Sequence, residues 1–368
     1  MDLKKFLQSL KSKKAYNLSM IIGLDGFVDE IVYLVDKRQN ADNYNRIPTL
    51  AALGERITRA AGLSTNIEVY PLETRLGGNG TLLSNALLAY DVRLTYIGAL
   101  GNPIDPYLKD MADKCVKTYS LCEAAFNQSF EFDDGKLLMG KTKVLNDITW
   151  DRVKEVVGPP AKIAKMLDDC DLLGMVNWTM VLNTNQIMQG LIDEVFPLMT
   201  ERATKPLAFF DLADPEKRSL EDLAEAMRLI GKFENKFRAV LGLNEKELYQ
   251  IANVSGVKEN DLKNTVINTH KKLGIYSLVA HPVKSAACCI NGEYFQVNGP
   301  YCEKPTITTG GGDNFNSGFC LGLALDLDPT DALTLGVCTS GYYVRNAKSP
   351  SYAEIINFAE RWRNDGSI

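Results

Sequence analysis

The chain has 368 residues, 45% of them hydrophobic and 24% charged, with 28 Gly and 14 Pro, fractions that exclude disorder, collagen-like repeats and a disulfide miniprotein. Forty-one Lys and Arg stand against 46 Asp and Glu, and a net charge of −5 offers no field for gathering nucleic acid or an anionic membrane. With His270 and His281 as the only histidines, a zinc hydrolase built on several His ligands is ruled out.

The eight Cys are scattered and form no CxxC pair, which fits reduced thiols. The basic start MDLKKFLQSLKSKK is broken by charge too often for a signal peptide, and no apolar run approaches the roughly 20 residues that cross a bilayer. A cytoplasmic protein with no membrane partner is expected.

Along the chain, short apolar runs at 18–24, 94–97, 172–176, 207–210, 239–243 and 276–280 read as buried strands. Helical patterns at 81–90, 106–114, 151–167, 185–199, 220–230, 245–251 and 261–273 lie between them. The alternation predicts an α/β fold with a mostly parallel central sheet and helices on both faces, its ligands at the carboxyl ends of the strands. Extended segments at about 27–36, 66–75 and 119–145 fall outside that rhythm, the last with a hairpin turning at Asp133-Asp134-Gly135. They read as strands of a small β lid, with an ordinary edge hairpin as the alternative. No repeat or Pro-rich linker divides the chain, so 1–368 reads as one domain carrying that lid.

The densest motif is Ile307-Thr308-Thr309-Gly310-Gly311-Gly312-Asp313, which leads into an apolar helix. Three glycines before a helix can turn backbone N–H groups toward one point, where the helix adds about half a positive charge. A carboxylate beside such an anion hole suits phosphoryl transfer to a hydroxyl, with Asp313 as base; a plain N-cap is the competing reading. Asn244 and Glu247 lie three apart on a first helical turn after a strand, which suits hydrated Mg²⁺ and phosphate oxygens as well as a solvated helix start. Asn177 closes another strand, where its amide either meets a ligand or caps the strand end. The small residues Gly336, Cys338, Ser340 and Gly341 share a helix face that admits either a flat ring or a close helix neighbour.

The segment TTGGGDNFNSGF resembles the signature of the PfkB family of carbohydrate kinases, which have a ribokinase-like fold, with Ile307 where the family prefers Asp and Gly311 where it has Ala. Asn244-Glu245-Lys246-Glu247 is similar to the family's NxxE motif, Leu76-Gly77-Gly78-Asn79-Gly80 to its N-terminal GG signature, and Gly23-Leu24-Asp25-Gly26 to its sugar-binding strand end. The four motifs follow the family's order from Asp25 to about Ser349.

The resemblance implies Asp313 as catalytic base with Gly310, Gly311 and Gly312 as anion hole. It implies an acceptor held by Asp25, Gly77, Gly78 and Asn79, to which the strand-end amide of Asn177 is added as a candidate. It further implies ATP as phosphoryl donor at Asn244, Thr308, Gly310, Gly312 and Ser340, Mg²⁺ near Glu247 and Asn244, a monovalent cation as a further candidate, and a homodimer formed through lid strands. A sugar is the implied acceptor. A nucleoside kinase on the same fold is the alternative, and a non-catalytic sugar or nucleotide sensor a more remote one. Two departures stand out: Leu82 occupies the place of a family Asn, with Asn85 nearest, and His281-Pro282 replaces a Gly-rich turn beside the nucleotide.

Overall fold

The computed structural model describes residues 2–366. Nine strands make the main sheet, in spatial order β14 (Glu293–Asn298), β13 (Ser285–Ile290), β12 (Ser277–Ala280), β11 (Arg238–Leu243), β10 (Leu207–Asp211), β9 (Leu172–Met175), β1 (Ser19–Gly23), β5 (Arg93–Ala99) and β6 (Lys117–Cys122). All neighbours from β12 to β6 run parallel, and β13 and β14 add an antiparallel edge. The central strands β9, β10 and β12 are buried along their whole length, as a sheet covered on both faces requires.

Alternate residues of each strand feed two cores. Ile21, Leu173, Phe210, Leu241 and Leu278 pack with Trp150, Ile187, Leu223 and Val266 on one face. Ile22, Leu172, Phe209, Val240 and Val279 pack with Phe6, Leu83, Phe319 and Leu335 on the other.

The segments outside this rhythm form a second sheet of β2 (Phe27–Arg38), β3 (Tyr44–Arg46), β4 (Glu68–Gly77), β7 (Ala125–Phe132) and β8 (Gly135–Lys141). One side of it carries its own small core, where Val32, Leu34, Phe130 and Phe132 meet Leu53 and Ile47 under the helix Leu50–Arg59. The stretch 119–145 is divided between the two sheets: its first residues belong to β6 of the main sheet, and only β7 and β8 belong to the second.

Two expected helices are broken. The pattern at 151–167 is two helices, Trp150–Val157 and Pro160–Asp168, because Gly158 caps the first at φ +129° and Pro159 and Pro160 begin the second. The pattern at 185–199 starts as the helix Thr184–Gly190, widens to a π turn over Leu191–Val195 and ends in a tight turn at Phe196–Leu198 that holds Pro197. The helices Leu3–Lys11, Leu50–Arg59 and Tyr352–Asp365 and the strands β3 and β14 have no counterpart in the sequence reading. Among the described residues, no helix is long and apolar enough to cross a membrane.

Close backbone approach joins the two sheets where β1 passes into β2. A Cβ on Gly26 would lie on the Ala99 carbonyl oxygen, whereas a Cβ on Gly54, inside the helix Leu50–Arg59, would meet nothing. Gly26→Ala should therefore lower unfolding stability by about 1–3 kcal/mol, as overpacking against rigid backbone does. Gly54→Ala should raise it by about 0.5–1 kcal/mol, the helix cost of glycine. Denaturant midpoints for the two variants check both signs.

Candidate active site

Five parallel strands end on one rim of the main sheet, and each is followed by a residue of the site: Asp25 after β1, Asn177 after β9, Asp211 at the end of β10, Asn244 after β11 and His281 after β12. This is the edge at which an open parallel sheet collects its ligands. The glycine turn arrives above it at the start of the helix Gly311–Ala324. Gly310 has φ +89°, and a side chain there would strike the Tyr343 hydroxyl. The same hydroxyl donates to Thr309 O at 3.0 Å, and Asn314 Nδ2 donates to Gly310 O at 2.9 Å, so the turn is braced from both sides.

Two cavities meet at this turn. One, of about 550 Å³, is lined by Gly310 and Asp313 together with Gly78, Asn79, Leu82, Asn177, Asn244 and Glu247, and the second sheet covers it. The other, of about 340 Å³, is lined by Thr308, Gly311, Gly312, Asn244, His281, Phe315, Ser340 and Gly341. Asn244 borders both.

Gly311 turns its N–H back to Thr308 O at 3.1 Å, so the three glycines do not act as one set of donors. Among the described residues, the N–H groups of Gly310 and Gly312 find no acceptor and remain available to an anion. The small helix face also divides. Gly336 packs on the Phe315 ring, whereas Ser340 and Gly341 line the smaller cavity.

Asp313 is buried, and its pKa is pushed up to about 8, chiefly by desolvation and further by the Asp25 charge, while the hydrogen bond from Asn79 opposes the shift. Asn79 Nδ2 donates to Asp313 Oδ1 at 3.0 Å. Asp25 differs from expectation. It is fully buried, does not line the cavity, and accepts from Asn79 N (2.9 Å), Gly80 N (2.7 Å) and Asn177 Nδ2 (2.6 Å). Burial raises its pKa to about 6 against these three donors. Gly77 also stands back from the cavity, and a Cβ there would collide with the Asp29 carboxylate.

Asn244 and Glu247 form a reciprocal cap: Glu247 N donates to Asn244 Oδ1 and Asn244 N to Glu247 Oε2, both at 2.9 Å. Asp214 N occupies Glu247 Oε1 at 2.9 Å. The helix-start and site readings of this pair therefore coexist, since Glu247 is capped and also faces the larger cavity. Asp211 accepts from Ala213 N and Asn316 Nδ2. Its carboxyl is pushed well up by burial and by the carboxylates Glu247, Asp313 and Asp25.

Magnesium fits this donor set in one form. Among the described residues, no group of three or more His, Cys, Asp or Glu side chains can hold a metal ion alone. Buried carboxylates that raise one another suit a cation carried by phosphate oxygens and water rather than one held by protein side chains alone.

The sequence reading placed a lid here without naming the residues it lends to the larger cavity: Phe27, Asp29 and Ile31 of β2, Arg75 of β4, and Asn127 and Ser129 of β7. The available signal was the polar runs Asp29-Glu30 and Asn127-Gln128-Ser129 inside otherwise strand-like segments. Lys136, at the turn of the β7–β8 hairpin, donates to Thr309 Oγ1 at 2.8 Å and ties this sheet to the glycine turn. His281, against Gly312 and 4.9 Å from the Phe315 ring, occupies the place of the expected Gly-rich turn, and burial lowers its pKa to about 4, which leaves the imidazole neutral.

A sheet of this order, with a glycine-turn carboxylate between two cavities, defines a ribokinase-like, PfkB-type sugar kinase, a phosphotransferase with an alcohol group as acceptor. More narrowly, the family profile of prokaryotic ketohexokinase matches residues 12–362, and the chain belongs to that family. It is 26% identical over 343 residues to a ketohexokinase of Haloferax volcanii, covering 92% of this chain and 90% of that protein. Arabidopsis thaliana ribokinase, solved with ribose and ATP, superposes with a TM-score of 0.61 at 13% identity, over 93% of this chain and 98% of its own. The nucleoside kinase of Methanocaldococcus jannaschii superposes with a TM-score of 0.60 at 13% identity, over 95% and 99%. At these identities the two structures share the fold alone.

The raised pKa of Asp313 carries a stability consequence. The folded protein holds this proton up to about pH 8, while the unfolded chain releases it near the ordinary Asp value of about 4. Its contribution to stability is thus full below pH 4 and is lost as pH rises to 8. Asn at 313 cannot titrate. The melting temperature of Asp313→Asn should therefore gain on wild type steadily between pH 5 and 8 and level off above about 8.5, as thermal scans across that range will record.

Proposed function

We propose that the protein transfers the γ-phosphoryl group of ATP to a hydroxyl of a ketohexose. The observation that carries this reading is the meeting of the two cavities at the glycine turn, with Asp313 on the larger side and Gly311 and Gly312 on the smaller. An acceptor in the larger cavity and a nucleotide in the smaller one would face each other across Gly310 to Asp313. The family match supports a ketohexose, and the ATP bound in the Arabidopsis ribokinase structure supports the donor.

In the reaction, the acceptor hydroxyl oxygen forms the new bond to γ-phosphorus as the bond to the β-phosphate oxygen breaks and ADP leaves. Asp313 takes the hydroxyl proton. Its pKa near 8 lies close to working pH, where a general base is most effective. Asn79 points the carboxylate, and the free N–H groups of Gly310 and Gly312 hold the charge of the transferring group. Mg²⁺, where bound near Glu247 and Asn244, supplies neutralisation of phosphate charge. Asp25 acts as a positioning residue through Asn79. Among the residues lining the larger cavity, Phe27 is the one aromatic, which cannot sandwich a nucleobase, so a sugar is favoured over a nucleoside.

An ADP-release assay over ketohexoses, aldopentoses and nucleosides tests the reading, with ketohexose-dependent release expected. Release that follows a nucleoside instead would overturn it. Asp313→Asn should bind nucleotide normally and lose roughly two to four orders of magnitude in turnover. In wild type, kcat/KM for the acceptor should rise with pH to a plateau above about 8, since the base must lose its proton.

A further inference from the structure

Between β14 and the helix Gly311–Ala324 the chain passes through residues 299–310 without regular structure. Pro300, Tyr301, Cys302, Pro305 and Thr308 of this loop line the smaller cavity, and the loop ends in the glycine turn. Its middle, residues 302–305, makes no hydrogen bond among the described residues. What fastens the loop is one turn of the helix Pro329–Asn346, residues 341–345.

At the near end, a Cβ on Gly341 would lie 2.6 Å from Pro300 Cγ, so the loop rests directly on the helix. Arg345 donates from Nη1 to Pro300 O at 2.9 Å and to Gly341 O at 2.8 Å, and from Nη2 to Tyr301 O at 2.8 Å. At the far end, Val344 O accepts from Thr306 N at 2.8 Å, Arg345 O accepts from Thr306 Oγ1 at 2.9 Å, and Tyr343 reaches Thr309 O. Both ends of the cavity wall are therefore tied to the same helical turn.

An arginine in the last turn of a helix is ordinarily a cap, because its charge suits the unpaired carbonyls there. Gly341 O fits that role, but the Pro300 and Tyr301 carbonyls belong to the loop. A planar guanidinium can engage several carbonyls at fixed angles, which an ammonium cannot. The Phe358 ring, 5.8 Å from the guanidinium, adds a cation–π contact. A loop left free would have to be ordered when ligand binds, which weakens binding, whereas a loop fixed beforehand avoids that loss.

We propose that the turn 341–345 is a clamp that pre-forms the donor cavity, with Arg345 as a positioning residue that acts on the nucleotide through the loop. The proposal rests on the smaller cavity being the nucleotide site. Arg345 itself stands behind the wall and does not line that cavity. Gly341 gains a part as well, since a side chain there would push Pro300 out of the clamp.

The test is titration calorimetry of ATP with excess magnesium on wild type, Arg345→Met and Arg345→Lys, beside ADP-release kinetics for the acceptor at saturating ATP. Arg345→Met should weaken ATP binding by about 10- to 100-fold, the range for hydrogen bonds to a charged group, with acceptor KM within twofold of wild type. Arg345→Lys should fall between the two, since the charge stays and the fork is lost, and it carries the test if the Met variant does not fold. An ATP Kd within twofold of wild type in Arg345→Met, or in Arg345→Lys where that variant stands in, overturns the proposal and leaves the kinase reading intact. An acceptor KM that rises as much as the ATP Kd also overturns it, since Arg345 would then support the whole fold. Wild type that binds no ATP overturns both readings. Wild type that binds ATP and phosphorylates no polyol overturns the kinase reading alone, and the Kd values still decide the clamp.

Discussion

One chain of hydrogen bonds governs the site: Asp25 accepts from the Asn79 backbone, and the Asn79 side chain donates to Asp313. It fastens the start of the helix Asn79–Leu88 to the start of the helix Gly311–Ala324, across 234 residues of sequence. Both carboxyls are buried, so each bond operates in a poorly solvated setting where a missing partner is costly. The same burial raises the pKa of Asp313 into the range in which a general base would work best. Position and protonation of Asp313 thus share one cause.

The helix that carries Asp313 is fixed from its far side by close backbone approach. A Cβ on Gly318 would lie 2.7 Å from the Leu335 carbonyl oxygen, and one on Gly322 would lie 2.7 Å from Ala332 Cα, so the helices Gly311–Ala324 and Pro329–Asn346 touch nearly backbone to backbone. Beneath it, Asn316 donates to Asp211 at the end of β10. Packing of that density leaves the first turn little freedom, and preorganised donors are what stabilise developing charge.

The main sheet was readable at β1, β5, β9, β10, β11 and β12, which are apolar runs, and Asp25, Asn177 and Asn244 closely follow three of them. The glycine turn, Asn244 and Glu247, and the Gly78-Asn79 pair are local in sequence, and the structure brings them to one rim. What could not be read was register. Arg75, Asp29 and Asn127 are adjacent only because three strands pair in one alignment, and nothing in the segments 27–36, 66–75 or 119–145 states that alignment. The burial of Asp25 was hidden for a related reason. An Asp-Gly after a strand looks the same whether its carboxylate faces a cavity or the N-terminus of a distant helix. The break at Gly158-Pro159-Pro160, by contrast, was written in the sequence, where amphipathic periodicity continuing on both sides masked it.

Charge is distributed unequally between the two cavities. Among the described residues, no charged side chain lines the smaller cavity, and its histidine is neutral, so phosphate bound there would be met by backbone N–H groups and the helix dipole. A lysine at that place would pair with Asp313 and lower its pKa, which would make the carboxylate a weaker proton acceptor. Fixed dipoles can hold an anion without that effect. The cations Arg75 and Lys136 are instead borne on the second sheet, one beside Asp29 and the other on Thr309, where both favour the ionised form of Asp29. The fold thus sets its cations apart from Asp313.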